Sequence, residues 1–428
     1  MSDPFLHFSH FGLHDDLLKA IAEQGYGAPT PIQAHAIPAA LAGRDMMGAA
    51  QTGTGKTASF SLPILQRLLP LANTSASPAR HPVRALILTP TRELADQVAA
   101  NIRAYAQYTL LRSLAVFGGV DMKPQAAELR RGVEILVATP GRLLDHLQQK
   151  NVQLGQTRML VLDEADRMLD MGFLPDLQNI LAALPRARQT LLFSATFSDG
   201  IRDLAAHYLN DPVIIEIETR NATAANVRQI VYEMNESDKL DAVVQLIHSR
   251  ALKQVIIFCN SKSGAGRLAP QLVHHGVHAA AIHGDKTQHD RMQTLNAFKR
   301  GEIEALVATD VAARGLDITE LPAVINFDLP FNAEDYVHRI GRTGRAGAQG
   351  DALSLYSPSQ HKQLANIETL IQRRLERASL TPDADFFTQP YQSSPKALKH
   401  EPPMDTQPAP RPASKCPLAA LLGGLAKK

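Results

Sequence analysis

The chain has 428 residues, 45% of them hydrophobic and 20% charged, with a formal net charge of +2 and two cysteines, Cys259 and Cys416. These values describe a globular chain of two or three domains and exclude wholesale disorder and a disulfide-stapled scaffold. They also exclude a global field for nucleic acid: residues 390–428 carry six Lys/Arg and two Asp/Glu, leaving 38 basic and 40 acidic residues elsewhere, so any grip on phosphates must come from local groups.

The opening MSDPFLHFSH lacks a basic segment followed by an apolar one, and no run approaches 18 apolar residues. The expectation is a cytoplasmic protein without a membrane span and with free thiols. A helical run from Asp15 to Gln24 precedes GYGAPTPIQAHAIPAAL, where Pro29 and Pro31 break the chain before a second helix. GRDMMGAA then reads as a strand, Ala49–Thr57 (AAQTGTGKT) as a tight loop, and TASFSLPILQRLL as a helix. A strand, a glycine-bearing loop and a helix N-terminus make a phosphate cradle. In the stretch Gln51, Thr52, Gly53, Thr54, Gly55, the glycines let backbone N–H groups turn inward, and the helix dipole adds positive potential. Lys56 would reach the β/γ-phosphates and Thr57 would offer its hydroxyl to Mg²⁺. The motif's usual first glycine is Ala50 here, a small residue read as a variant of the loop.

From 45 to about 213, RALILTP, SLAVFGG, EILVATP, MLVLDEAD, QTLLFSAT and PVIIEI alternate with helical stretches. That alternation predicts an α/β domain with a mainly parallel sheet and helices on both faces. MLVLDEAD ends its strand in Asp163 and Glu164, where an α/β sheet presents ligands. Beside a phosphate loop, Asp163 is assigned to the metal and Glu164 to the attacking water; a solvated acidic helix start would look similar in isolation. ETRNATAANV reads as a linker, after which RQIVYEM, QVIIFCN, HAAAIHG, EALVATD and AVINFDLP repeat the α/β pattern without a second phosphate loop. The expected organisation is therefore a domain over 1–217, a linker over 218–227, a domain over 228–378 and a disordered Pro-rich tail over 379–428. HRIGRTGR, His338 to Arg345, sets three arginines beside two glycines. On residues alone it is a solvated basic stretch, a phosphate-backbone site or a source of cleft arginines. The sixteen histidines have no zinc spacing.

Taken in order, GYGAPTPIQ, AAQTGTGKT, PTRELA, Gly118-Gly119, TPGR, DEAD, SAT, the QxxR of Gln288 to Arg291, ATDVAARGLD and HRIGRTGR resemble the motifs of the DEAD-box ATP-dependent RNA helicases, over residues 8–357. DEADRMLDMGF, LLFSATFS and HGDKTQ look most like the bacterial RhlE-type subgroup. The resemblance implies two tandem RecA-like domains, ATP and Mg²⁺ as cofactors, RNA as partner, RNP, ribosome-assembly or RNA-decay proteins as further partners, and a monomer. It implies that Gln33 bonds the adenine edge, that Tyr26 supplies an aromatic face supported by Phe8, and that Asp317 contacts the sugar. Arg342 and Arg345 would reach across the cleft to the transferring phosphate. His338 would link the domains near DEAD and SAT, and Ser194 and Thr196 would couple hydrolysis to strand separation. Arg92, Gly119, Thr139, Gly141 and Arg142, with Arg291 and Thr309 from the second domain, would hold successive RNA phosphates and sugars with little sequence preference. The same motifs also suit an ATP-gated RNA clamp or assembly scaffold. A DNA-translocating helicase fits the set GYGAPTPIQ, TPGR and HRIGRTGR less well.

Overall fold

The computed structural model describes residues 7–49, 54–216, 227–313, 316, 318, 321–344 and 349–380. Most of the predicted linker and the tail beyond 380 lie outside the described residues. Leu380 still packs against the second domain, so ordered chain runs slightly past the expected boundary at 378.

Short apolar runs become strands, most of the central ones buried on both faces and the edge strands Ser113–Val116 and Val213–Glu216 only in part. In the first domain these are β1 (Met46–Ala49), β2 (Ala85–Leu88), β3 (Ser113–Val116), β4 (Ile135–Ala138), β5 (Met159–Leu162), β6 (Gln189–Ser194) and β7 (Val213–Glu216). The two-residue period sorts their side chains into two cores. Ala85 and Ile87 pack in the cluster on one face of the sheet, Leu86 and Leu88 in the cluster on the other. The second domain repeats the design with β8 (Val227–Glu233), β9 (Val255–Phe258), β10 (Ala279–Ile282), β11 (Ala305–Ala308), β12 (Ala323–Asn326), β13 (Gly350–Tyr356) and β14 (Glu376–Ala378).

All strand pairings are parallel, in the orders β3-β4-β2-β5-β6-β1-β7 and β10-β11-β9-β12-β13-β8-β14. The second order is the first shifted by seven, so the two sheets share one topology. It sets β5, β6 and β1 side by side, and the loops leaving their carboxyl ends therefore meet at one edge.

Two strands of the second domain differ from the sequence expectation, which holds five. β13 carries Asp351 and Ser354 among its apolar residues, and both polar groups are matched: Asp351 pairs with Arg250, and the fully buried Ser354 hydroxyl accepts from Asn326 Nδ2 at 2.9 Å. β14 is a three-residue edge strand with little apolar content, tied across β8 by Arg228 to Glu376 at 2.8 Å. Among the described residues no helix is long and apolar enough to cross a membrane.

Candidate nucleotide cleft and nucleic-acid groove

β1 ends at Ala49, and the helix Lys56–Leu68 begins just beyond Gly55. Gly55 has φ 93°, and a Cβ there would lie 2.4 Å from Gln33 Nε2, so only glycine fits. Gln33 is almost wholly buried. Its Nε2 donates to the Gly55 carbonyl at 3.1 Å, and its Oε1 accepts from the Thr30 N–H at 2.9 Å, closing a capping box on the helix Pro31–Leu41. The amide expected at adenine is thus also a strap between a helix start and the phosphate loop, with one N–H and one acceptor position left over. Phe8 is core, and stacks on Tyr26 with ring centroids 6.0 Å apart; the Tyr26 hydroxyl lies 2.7 Å from that of Tyr105.

Lys56, at the helix start, is buried with Nζ 4.0 Å from Asp163 Oδ1 at the end of β5. Burial pushes the Asp163 carboxyl up to about 6 against the pull of Lys56. Glu164, with left-handed φ 51°, goes the other way. Burial would raise it, but Arg167, Lys56 and Arg342 outweigh that and hold it below the usual carboxylate range. Asp166 Oδ2 accepts from the N–H groups of Ala195 (2.9 Å) and Thr196 (3.3 Å), and Ser194 Oγ donates to the Thr196 carbonyl at 2.6 Å. The SAT loop is therefore pinned to the end of DEAD. Thr57 is partly exposed beside Lys56.

The facing wall comes from the second domain. Glu334, Asp335 and His338 of the helix Ala333–Ile340, with Arg342 just after it, meet Lys56, Glu164, Asp166, Arg167 and Thr196 around a cleft of about 80 Å³. Arg342 Nη1 donates to the Leu316 carbonyl at 2.7 Å. Arg339 is a brace within its own domain: 1% exposed, it grips both carboxylate oxygens of Asp310 at 2.6 Å and also reaches Asn260 and the Asp328 carbonyl. Gln51, Thr52, Gly53, Asp317 and Arg345 lie outside the described residues.

A second, wider space of about 570 Å³ runs between the domains. Arg92, Gly119, Thr139, Gly141 and Arg142 line it from one side, Lys286, Gln288 and Arg291 from the other. Gly119 has φ 76°, and a Cβ there would sit 1.7 Å from Arg92 Nη1, so the missing side chain makes room for the guanidinium. Both Arg142 Nη atoms donate to the Val120 carbonyl, at 3.1 and 3.2 Å. Burial pushes Arg92 down, Glu93 opposes, and Arg291 and Arg142 add repulsion; such a knot of cations suits an anionic ligand. Arg291, however, is bound to Glu93 across the domain seam at 2.6 Å, with Gln288 Nε2 3.4 Å from the same oxygen. Thr309, expected in the same set, is not in this groove. It is mostly buried, and its carbonyl accepts from Ala312 and Ala313 at the start of the turn Asp310–Ala313.

Glu93, Asp166 and Arg167 were given no role from the sequence, Gln288 was noted only as the start of QxxR, and Lys286, Glu334 and Asp335 were not singled out. Asp166 and Glu93 sit inside motifs already noted, but their partners are distant in the chain, and no local pattern reveals them.

Residues 30–204 match the DEAD/DEAH box helicase family model, and residues 238–347 match the helicase conserved C-terminal domain. The DEAD-box ATP-dependent RNA helicase RhpA of Helicobacter pylori is 42% identical over 369 residues, covering 86% of this chain and 73% of RhpA. CshA of Bacillus cereus is 43% identical over 370 residues, covering 86% of this chain and 69% of CshA. Among solved structures, Saccharomyces cerevisiae Dbp5 bound to RNA and ADP BeF3 matches with TM-score 0.79 at 32% identity, over 87% of this chain and 95% of that one. A Dbp5 variant bound to Nup159, Gle1, IP6 and ADP matches with TM-score 0.61 at 31% identity, over 88% and 97%. The two parallel sheets are accordingly tandem RecA-like domains. With both family models matched in order and relatives at 42–43% identity over 86% of its length, this chain belongs to the DEAD-box ATP-dependent RNA helicases.

Proposed function

We propose that the chain hydrolyses ATP in the cleft between its domains and uses their closure to grip, bend and locally open short RNA duplexes. The observation that carries this reading is that the nucleotide cleft and the groove are each built half from one domain and half from the other. The fit to Dbp5 bound to RNA and ADP BeF3 over 87% of this chain supports it, since that structure holds RNA and a nucleotide analogue together on the same fold. The RhlE-type character, the domain limits at 217 and 228, a cytoplasmic location and a monomeric state belong to the same reading.

In this reading Lys56 and the helix start neutralise phosphate charge, while the Gln33 amide and the Tyr26 ring, backed by Phe8, select adenine. Asp163, a carboxyl that burial pushes up despite the nearby Lys56, and the Thr57 hydroxyl fit Mg²⁺ and would hold it. When bound, the ion supplies charge to the phosphate oxygens. Glu164, kept ionised by Arg167, receives the proton of the attacking water. Arg342 and Arg345 bring positive charge to the transferring phosphate, and Asp317 meets the sugar. Ser194, Thr196 and His338 connect the cleft to the RNA side. Arg92, Arg142 and the glycines hold backbone phosphates without reading bases, so salt sensitivity exceeds sequence preference. RNP, ribosome-assembly or RNA-decay proteins are the partners such an activity serves.

The deciding experiment uses Glu164→Gln, which keeps the side-chain size but removes the base. ATP should then persist in the cleft and raise affinity for a single-stranded RNA by about 5 to 150-fold, and RNA should raise ATP affinity by the same factor. Equal RNA affinity with and without saturating ATP removes the closure mechanism. Strand separation of a short duplex, followed beside hydrolysis in the unmodified protein, divides a helicase from an ATP-gated clamp.

A further inference from the structure

We infer that Arg167 is the positioning residue through which closure of the domains is felt at Glu164, an assignment that rests on the two-domain reading above. Arg167 follows DEAD directly, in the short helix Ala165–Asp170, and is 4% exposed. Its Nη1 donates to Glu164 Oε2 at 3.1 Å, and its Nη2 donates to the backbone carbonyl of Val311, in the other domain, at 2.8 Å. Arg167 lines the nucleotide cleft and Val311 lines the groove. One guanidinium therefore spans the wall between the two sites.

The chemistry of the side chain makes the link stiff. A guanidinium is planar, and its donors form a rigid fork, so bonds at two Nη atoms fix its plane and with it the direction of the carboxylate it holds. The far anchor is equally firm. Val311 sits one residue from Asp310, whose two oxygens are gripped by the buried Arg339. Glu164 itself stands at a left-handed backbone position directly after Asp163, and Arg167 is its hydrogen-bonding partner. When the domains part, the Val311 carbonyl leaves, the fork loses its anchor in the other domain, and Glu164 loses its aim. Misplacement by about 1 Å can cost on the order of 10²-fold in rate.

The test compares Arg167→Ala and Arg167→Lys with the unmodified full chain, using ATP and a single-stranded RNA oligonucleotide. In both variants kcat at saturating RNA should fall at least about tenfold, with KM for ATP within about twofold and the mutual enhancement of RNA and ATP affinity near one. Lysine should fail to rescue, because a compact ammonium meets Glu164 or Val311 but lacks the fork that holds both. Should the alanine protein not fold, the lysine variant, which keeps the charge and most of the packing, carries the test. Wild-type coupling in Arg167→Lys, or unchanged RNA-stimulated kcat in Arg167→Ala, overturns the assignment, as does loss of coupling that only tracks loss of ATP binding. If the unmodified protein itself shows no coupling, it is the two-domain reading that fails; if it couples and both variants still couple, only the role of Arg167 fails.

Discussion

Asp163 and Glu164 are neighbours in the chain and both are deeply buried, yet their protonation is driven apart by their partners. Asp163 has an ammonium 4.0 Å away, while Glu164 has a guanidinium at hydrogen-bonding distance. Asp163 therefore holds its proton up to about 6, above its ordinary 3.8. Its stabilising contribution is complete below about 3.8 and is lost as pH rises through about 6, where the fold must carry a buried anion. A cation held there, as proposed, would take the place of that proton. Affinity for Mg²⁺ with nucleotide should accordingly fall by up to about tenfold per pH unit below about 6 and stay level above 7. A fluorescence titration across this range checks it, and a level profile down to pH 5 would mean that Asp163 does not hold the metal. Glu164 is displaced downward, so its contribution is present above its unfolded value and disappears only at lower pH.

At the scale of elements, the site is made of loops at the carboxyl edge of each sheet, and the loop after β3 shows how tightly they are set. Gly119 combines positive φ with an Arg92 guanidinium where its side chain would stand. Gly119→Ala should cost about 1 kcal/mol of stability from the backbone alone and displace Arg92, lowering RNA affinity by about tenfold while ATP affinity holds; RNA and nucleotide titrations on one preparation decide it. An equal loss of both affinities would point to a collapsed domain. The first-domain strands and the DEAD motif were legible because each is a contiguous run whose chemistry is local: apolar residues of a sheet, or charge set at a strand end. β13 and β14 escaped because their polar residues find partners across the sheet. Glu93 and Arg167 escaped because their partners are 198 and 144 residues away. Gln33 was expected at the adenine edge from the resemblance, and its work as a helix cap and loop strap needed the fold to bring Gly55 against it.

At the scale of the whole molecule, Arg291 is bound to Glu93 across the seam, and under the proposed function it would also meet an RNA phosphate, so the two anions compete for it. Replacing Glu93 by Gln should therefore act with opposite signs in two states. Without ATP, RNA affinity should rise and its salt dependence steepen, because a buried carboxylate no longer neutralises a groove arginine. With ATP, the gain in RNA affinity should shrink, because a charged contact across the seam is gone. RNA titrations at several salt concentrations, with and without ATP, read both signs, and a parallel change in the two states would show that Glu93 serves only the first domain. The seam has one more property. Its identified links are Arg167 to a carbonyl and Glu93 to Arg291 and Gln288, and each of the four apolar clusters among the described residues stays within one domain. Parting the domains along these links breaks charged and polar contacts and leaves each buried apolar cluster whole. Cold weakens apolar contacts, so charged links such as these should hold where apolar ones loosen, and under the proposed function they would be broken and remade with each ATP.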